Sequence, residues 1–585
     1  MASSKKHFLV FVGILLLAIF FRFWHITDIP PGLYPDEAMN GSNALQALES
    51  GNFRAYYIDN NGREGLFINL QALAIWFLGN EAWVLRFVSA IFGIVAVWGI
   101  FLLTRELFWD GDSQTQSSKL KAQNYNSKLK TEIIALLSSF FLATSYWHVT
   151  LSRLGFRAIT TPTFSILAFY FLFRGMRRNS MVDFALSGIM LGLGLNGYIA
   201  FRFLPFAFAV PVLIGLWRWW NTKPRGTEWK ASGIGFSEGG VGVVGEENSM
   251  PEAPNTCFPC AVVLIGIFVI ATCTPLIMYF TEHPNDFATR TGQVSVFADE
   301  HPLRAFAVSN IKTIGMVSVF GDCNSRHNFP CFPVLHPFLA LGFFYGLFLM
   351  IKKPTSLTFA TLLAWLFFLS LPATLTREGM PHALRSIGMI PPVMIIAAFG
   401  AYVFWEKLFS DKKIPLTPPF SKGELLPLKK GGWEGFQNKK TTIFFLLLVS
   451  IPLTTGYLYF NVWAKAPSTA SAFSQDLSEL AMYVRSLPKE TKKYLIVELD
   501  HEGLPVSAQS VVYLTNTATT QSQHEHNVTY LPRVGTLRHI TLDDKPAIIG
   551  FVAFHDNALE QELERAFPSL IKETYGGFTV YSYKP

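Results

Sequence analysis

Eleven apolar stretches, each about the length that crosses a bilayer as a helix, constrain this 585-residue chain more than any other feature. They lie near 7–24, 82–107, 132–150, 158–174, 182–197, 202–217, 257–280, 336–351, 355–372, 386–405 and 442–460. A helix satisfies its own backbone hydrogen bonds, which is why spanning segments take that form. Composition agrees: 50% of residues are hydrophobic and 15% charged, against roughly 25% charged in an ordinary soluble domain. With 54 Phe and 14 Trp, the apolar surface exceeds what one water-soluble core would hide. A soluble globule and a disordered chain are therefore excluded. Forty-three Gly and five Cys are too few for a collagen repeat or a disulfide scaffold. The chain reads as a mainly α-helical, polytopic membrane protein. Lys5 and Lys6 precede the first stretch, but FFRFWHITDIPPG follows it where a signal peptide would carry small residues, so that helix is expected to be retained.

Orientation follows from Lys and Arg. With the N-terminus cytoplasmic, the inner loops collect roughly 23 basic residues against roughly 11 outside, a bias that fixes topology. The net charge of +7 is thereby explained without nucleic acid. Three inner segments, 110–130, 224–256 and 411–440, are rich in Ser, Gly, Pro or Lys and read as mobile linkers without chemistry. The outer side carries a long first loop (25–81), a second long loop (281–335) and a C-terminal segment. Residues 1–460 form the membrane module and 461–585 a small extracytoplasmic α/β domain. Its predicted strands are YLIVEL, SVVYLT, AIIGFVAF and FTVYSY, with a helical NALEQELERAF before the last. No internal repeat is visible. Cys323 and Cys331 share the second outer loop, either as a disulfide or as two thiols. Cys257 and Cys260 form a lone CxxC, too little for a zinc or redox assignment.

Charged side chains near a membrane face are costly unless they pair or work. Asp36 and Glu37 follow Pro35 at the start of an expected helix running to about Glu49. Either they complement its dipole or one of them faces a membrane-level cleft. Downstream, NGREGLFINLQALAIWFLG places Arg63 and Glu64 at the start of an amphipathic helix suited to the interface. Basic residues gather near the ends of spans: Arg153 and Arg157, four apart; Arg202; His382 and Arg385. The second loop ends with Asp322, Arg326, His327 and Asn328. Each Arg alone can be read as snorkelling to headgroups, whereas several on one face make a phosphate site. His283 and His301 read as surface histidines.

A DE pair in the first outer loop, the Gly-Arg-Glu-Gly-Leu-Phe stretch after it and the many spans together resemble the GT-C glycosyltransferases. Within these, residues 7–405 resemble the family 39-like enzymes, which include protein O-mannosyltransferases and the aminoarabinose transferase of lipid A. The RHNFP stretch also resembles one in bacterial members. The resemblance implies a GT-C-like fold and transfer of a sugar from a polyprenyl-phosphate carrier to an acceptor hydroxyl of a protein, lipid or glycan, with inversion. It implies Asp36 as the base and Glu37 as a positioning partner, with these two the ligands of any divalent metal. Carrier phosphate or sugar would meet Arg63, Glu64, Arg153, Arg157, Arg202, Arg326, His327, His382 and Arg385. Some relatives carry Lys-Pro-Pro-Leu where this chain has Arg63-Glu64-Gly65-Leu66, so that Lys is missing here. A bacterial plasma membrane is the expected location. The alternative is a transporter or flippase of a lipid-linked or anionic solute, which would more often show repeats and broken spans. An assembly protein presenting the C-terminal domain would not need an acid pair beside basic turns.

Overall fold

The computed structural model describes residues 2–109, 118–222, 257–287, 296–376, 379–409, 439–499 and 503–585. Each of the eleven apolar stretches is helical over most of its length. Among the described residues, seven helices are long and apolar enough to cross a membrane, the longest being Ala82–Leu107 and Phe258–Glu282. Met181–Leu195 and Pro337–Ile351 are apolar but shorter. The 132–150 stretch breaks into two helices, Ser118–Thr144 and Tyr146–Leu151. Ser145 lies between them in an extended conformation, and its hydroxyl accepts the His148 backbone N–H. Of the three expected linkers, 110–130 is helical from Ser118 onward, and 224–256 and nearly all of 411–440 lie outside the described residues.

Small residues let two helices of the bundle approach closely. Helices Pro337–Ile351 and Ile390–Phe409 cross where Gly342 and Gly346 meet Gly400; a Cβ added to Gly400 would lie 2.0 Å from the Gly342 carbonyl oxygen.

The first long loop is folded. Helix α1 (Ala2–Phe23) leads to helix α2 (Pro35–Ser50), which starts with Pro at its first position and ends at Gly51 in the left-handed conformation. Short strands β1 (Tyr56–Tyr57) and β2 (Arg63–Glu64) pair antiparallel. Helix α3 (Gly65–Leu78) follows, with Leu73, Trp76 and Phe77 exposed, as an interfacial helix requires.

The C-terminal segment is an α/β domain, but its strands differ from those expected. The sheet has the order β4-β3-β5-β7-β6, where β3 is Lys492–Val497, β4 Val528–Pro532, β5 Ala547–Phe551, β6 Ile571–Tyr575 and β7 Phe578–Tyr583. β3 is parallel to β4 and β5; β7 is antiparallel to β5 and β6. SVVYLT, read as a strand, is helical over Gln509–Leu514. Its continuous apolar run is buried on all sides, and such a run does not distinguish strand from helix by period. β4 and β6 escaped notice because their alternation is polar and short.

Alternation along β3 explains how the domain attaches. Tyr494 and Ile496 face the cluster that contains Leu559 and Leu563 of helix Asn557–Ala566. Leu495 and Val497 face a second cluster, shared with Leu33, Ala38 and Ala44 of the first loop and with Val511, Val512 and Tyr513. Contact there is close: a Cβ on Gly41 would lie 2.5 Å from the Tyr513 ring. Ser510 donates to the Leu33 carbonyl at 2.7 Å, and the Leu33 N–H donates to Ser478 at 2.8 Å. The domain thus completes the core beneath α2. Deleting residues 467–585 is expected to expose that core and loosen α2. Limited chymotrypsin digestion in detergent should then cut after Leu45 or Leu48 of α2 at least tenfold faster than in the full chain; equal protection would show that α2 stands alone.

Candidate active site

The first loop, the turn before helix Thr160–Arg178, the second long loop and residues 379–385 converge on a cavity of about 320 Å³. Seven of the residues singled out from the sequence line it: Asp36, Arg63, Arg157, Arg326, His327, His382 and Arg385. They come from positions up to 349 residues apart, and only the fold unites them.

Asp36 is the second residue of α2, half-buried, and its Oδ1 accepts a 2.9 Å hydrogen bond from Asn60. Neighbouring Tyr34 also lines the cavity; burial, then the charge of Asp36, pushes its phenol up to about 12, so it stays protonated. The Tyr34 hydroxyl accepts a hydrogen bond from Arg326, whose guanidinium lies over the Tyr34 ring at 4.4 Å. Arg63 donates to Asn40 Oδ1 at 2.6 Å, to Asn43 Oδ1, and to the Asp59 carbonyl at 3.2 Å. Arg157 begins a single 3₁₀ turn, stands 5.7 Å from the Tyr198 ring centroid and pairs with Glu64 at 3.2 Å.

Four of the predicted residues sit elsewhere. Glu37 is fully buried one residue from Asp36, with Oε2 3.3 Å from Arg86 and Oε1 accepting the Gly155 N–H at 2.5 Å. Successive helix residues point about 100° apart, so adjacent acids on α2 cannot share one surface. Glu64 lies beside Arg157 and, at 3.6 Å, Arg202, whose guanidinium also donates to the Phe287 carbonyl. Arg153 and Arg157 do not share a helical face, because the helix Tyr146–Leu151 ends before Arg153 and Gly155 intervenes. Arg153 is buried and turned inward, donating to the carbonyls of Phe21, His25 and Ile29 and to the Tyr459 hydroxyl. It ties α1 to the start of the first loop and does not line the cavity.

The second loop is closed by a Cys323–Cys331 disulfide. A second disulfide joins Cys257 and Cys260 at the start of helix Phe258–Glu282. His327 and His382 stack at 4.7 Å between ring centroids, and both approach Asp322 Oδ2, at 3.2 and 3.9 Å. Both imidazoles are held below their ordinary value, by burial first; for His382 the neighbouring His327, Arg385 and Arg326 add to it. His283 and His301 are exposed, as read from the sequence.

Sequence reasoning missed Tyr34, Asn40, Asn60, Tyr198 and Asn324, which also line the cavity. Single neutral polar residues carry no spacing signal. Arg86 did carry one, a charge near the start of a span, but its partner Glu37 is 49 residues distant.

The chemistry available is defined by this lining: among the described residues, one carboxylate shares the cavity with several guanidinium groups, suited to an anionic ligand whose neighbouring proton Asp36 can accept. Comparison with known proteins bears on it. Residues 126–227 match the family described as dolichyl-phosphate-mannose-protein mannosyltransferase. No curated protein sequence matches the chain. Among solved structures, apo ArnT from Cupriavidus metallidurans is 14% identical with a TM-score of 0.54, over 99% of this chain and 98% of that one. ArnT of the same organism bound to undecaprenyl phosphate is 11% identical with a TM-score of 0.50, over the same shares. The fold of this multi-pass membrane protein is thus similar to that of ArnT over 99% of the chain, and residues 126–227 resemble the family described as dolichyl-phosphate-mannose-protein mannosyltransferase.

Proposed function

We propose that the protein transfers a sugar from a polyprenyl-phosphate carrier to an acceptor hydroxyl, on the outer face of a bacterial plasma membrane, with inversion at the anomeric carbon. The observation that carries this reading is the cavity itself, where Asp36 shares one space with Arg326 and Arg385. Asp36 takes the acceptor proton as the acceptor oxygen bonds to the anomeric carbon. The carbon–oxygen bond to phosphate breaks, and the carrier leaves as polyprenyl phosphate. Phosphate is already a good leaving group, so cations that hold it serve better than a strong acid. One carboxylate acting on one face gives a single displacement, hence inversion. Fold likeness to an ArnT that binds undecaprenyl phosphate supports a carrier of this class. The bias of Lys and Arg along the chain supports a cytoplasmic N-terminus and an external C-terminal domain.

Two measurements test this. The purified full chain should transfer labelled sugar from a polyprenyl-phosphate donor; no transfer from any donor of that class would overturn the reading. Arg326→Ala and Arg385→Ala should each weaken undecaprenyl phosphate binding by about tenfold or more, the loss of one charge-assisted hydrogen bond. Titration in detergent reads this directly, and affinities within twofold for both variants would move the phosphate site elsewhere.

A further inference from the structure

The second loop and the turn 379–386 meet in a cluster that the reaction above does not use. Asp322, His327 and His382 present one carboxylate oxygen and two imidazole nitrogens, all within 4.8 Å of one another. A tetrahedral ion about 2.0–2.2 Å from each donor needs donors about 3.3–3.6 Å apart; the observed separations from Asp322 Oδ2 are 3.2 Å to His327 and 3.9 Å to His382. His327 Nδ1 and the Ala383 N–H lie within hydrogen-bond distance of Asp322 Oδ2, at 3.2 and 2.8 Å, whereas His382 Nδ1, at 3.9 Å, is held beside it without a hydrogen bond to it.

The surroundings orient the donors. Asp322 Oδ1 accepts the Asn324 N–H at 2.8 Å. The Arg385 backbone N–H is directed at His382 Nδ1 at 3.4 Å, so Nδ1 carries the lone pair, which an ion would take in place of this long contact. Asn328 is buried and donates to the carbonyls of Asp322 and Phe332 at 3.1 and 2.6 Å, holding the loop that the Cys323–Cys331 disulfide closes. Fixed outer contacts of this kind hold metal ligands in place.

We propose that Asp322, His327 and His382 form a site for a divalent transition metal of the zinc type, with its fourth coordination position open to the cavity that Arg326 and Arg385 line. Two imidazoles and a carboxylate suit zinc better than magnesium or calcium, which prefer an all-oxygen shell. Two nearby guanidinium groups disfavour a bare cation, so the site binds most tightly when an anion shares it. A phosphate oxygen would complete the coordination; that role rests on the function proposed above, whereas the site itself rests on its geometry.

The test uses the full chain in detergent, tag removed and stripped with chelator. Titration with zinc in the presence of inorganic phosphate should show one equivalent bound. Asp322→Asn, His327→Gln and His382→Gln should each lower affinity at least tenfold, while His301→Gln on the same loop should not. Cobalt(II) bound to the unaltered chain should show the visible bands of a four-coordinate ion, a readout that does not depend on any variant folding. No stoichiometric zinc in the unaltered chain, or equal uptake by the ligand variants, would overturn the site. Zinc uptake without sugar transfer from any polyprenyl-phosphate donor would uphold the site and sink the transferase reading. Transfer without zinc uptake would do the reverse.

Discussion

Replacing Asp36 by Asn is expected to lower sugar transfer by about a thousandfold, within the range that a positioned general base contributes. The change is nearly isosteric. Asn60 would still donate to the remaining carbonyl oxygen at position 36, so the cavity should keep its shape. Half-buried at the cavity wall, the side chain supports no core, and thermal stability should stay close to that of the unaltered chain. Initial rates with a labelled donor, alongside a melting curve in detergent, separate the two effects. Transfer retained within tenfold would remove Asp36 as the proton acceptor and leave it a polar lining residue.

Glu37→Gln should behave in the opposite way, although it alters the adjacent residue. The Glu37 carboxylate is the acidic partner of Arg86, and both are buried. Arg86 also donates to the carbonyls of Pro30 and Gly32, at 2.8 and 2.5 Å, so it anchors the stretch that leads into α2. Taking one charge from a buried pair leaves the other uncompensated, at a cost of about 3–5 kcal/mol. The expected result is a melting temperature lower by several degrees, with transfer per folded molecule within about tenfold of the unaltered chain. Changing Arg86 to Met in the same molecule should recover part of the stability, since the orphaned charge is then gone. A large fall in transfer at unchanged stability would instead make Glu37 a participant in the chemistry.

These two residues show how far a linear reading reaches. The acid pair stands out because charges at the start of a helix near a membrane face are few. Which member faces the cavity depends on what packs around α2, namely Gly155 and Arg86 on one side and Asn60 on the other. The same holds for the arginines. Arg153 and Arg157 look equivalent by spacing, yet one is spent on backbone carbonyls and the other lines the cavity. Asp322, His327 and His382 were each visible, but the 54 residues between His327 and His382 hid their meeting. In the C-terminal domain, the strand-like run SVVYLT folds as a helix because it is enclosed by α2 and the sheet. Its hydrophobicity states only that it is buried.

Taken alone, the order of residues determined the helical class, the membrane setting and the short roster from which a site would be drawn. Those are one-dimensional properties: run length, mean hydropathy and the rarity of charge beside lipid. Tertiary structure decided which carboxylate meets the cations, which cations are consumed in holding loops, and that the last hundred or so residues support the first loop. The reason is physical: a buried charge takes whatever partner packing delivers within about 4 Å, and sequence separation places no limit on that partner.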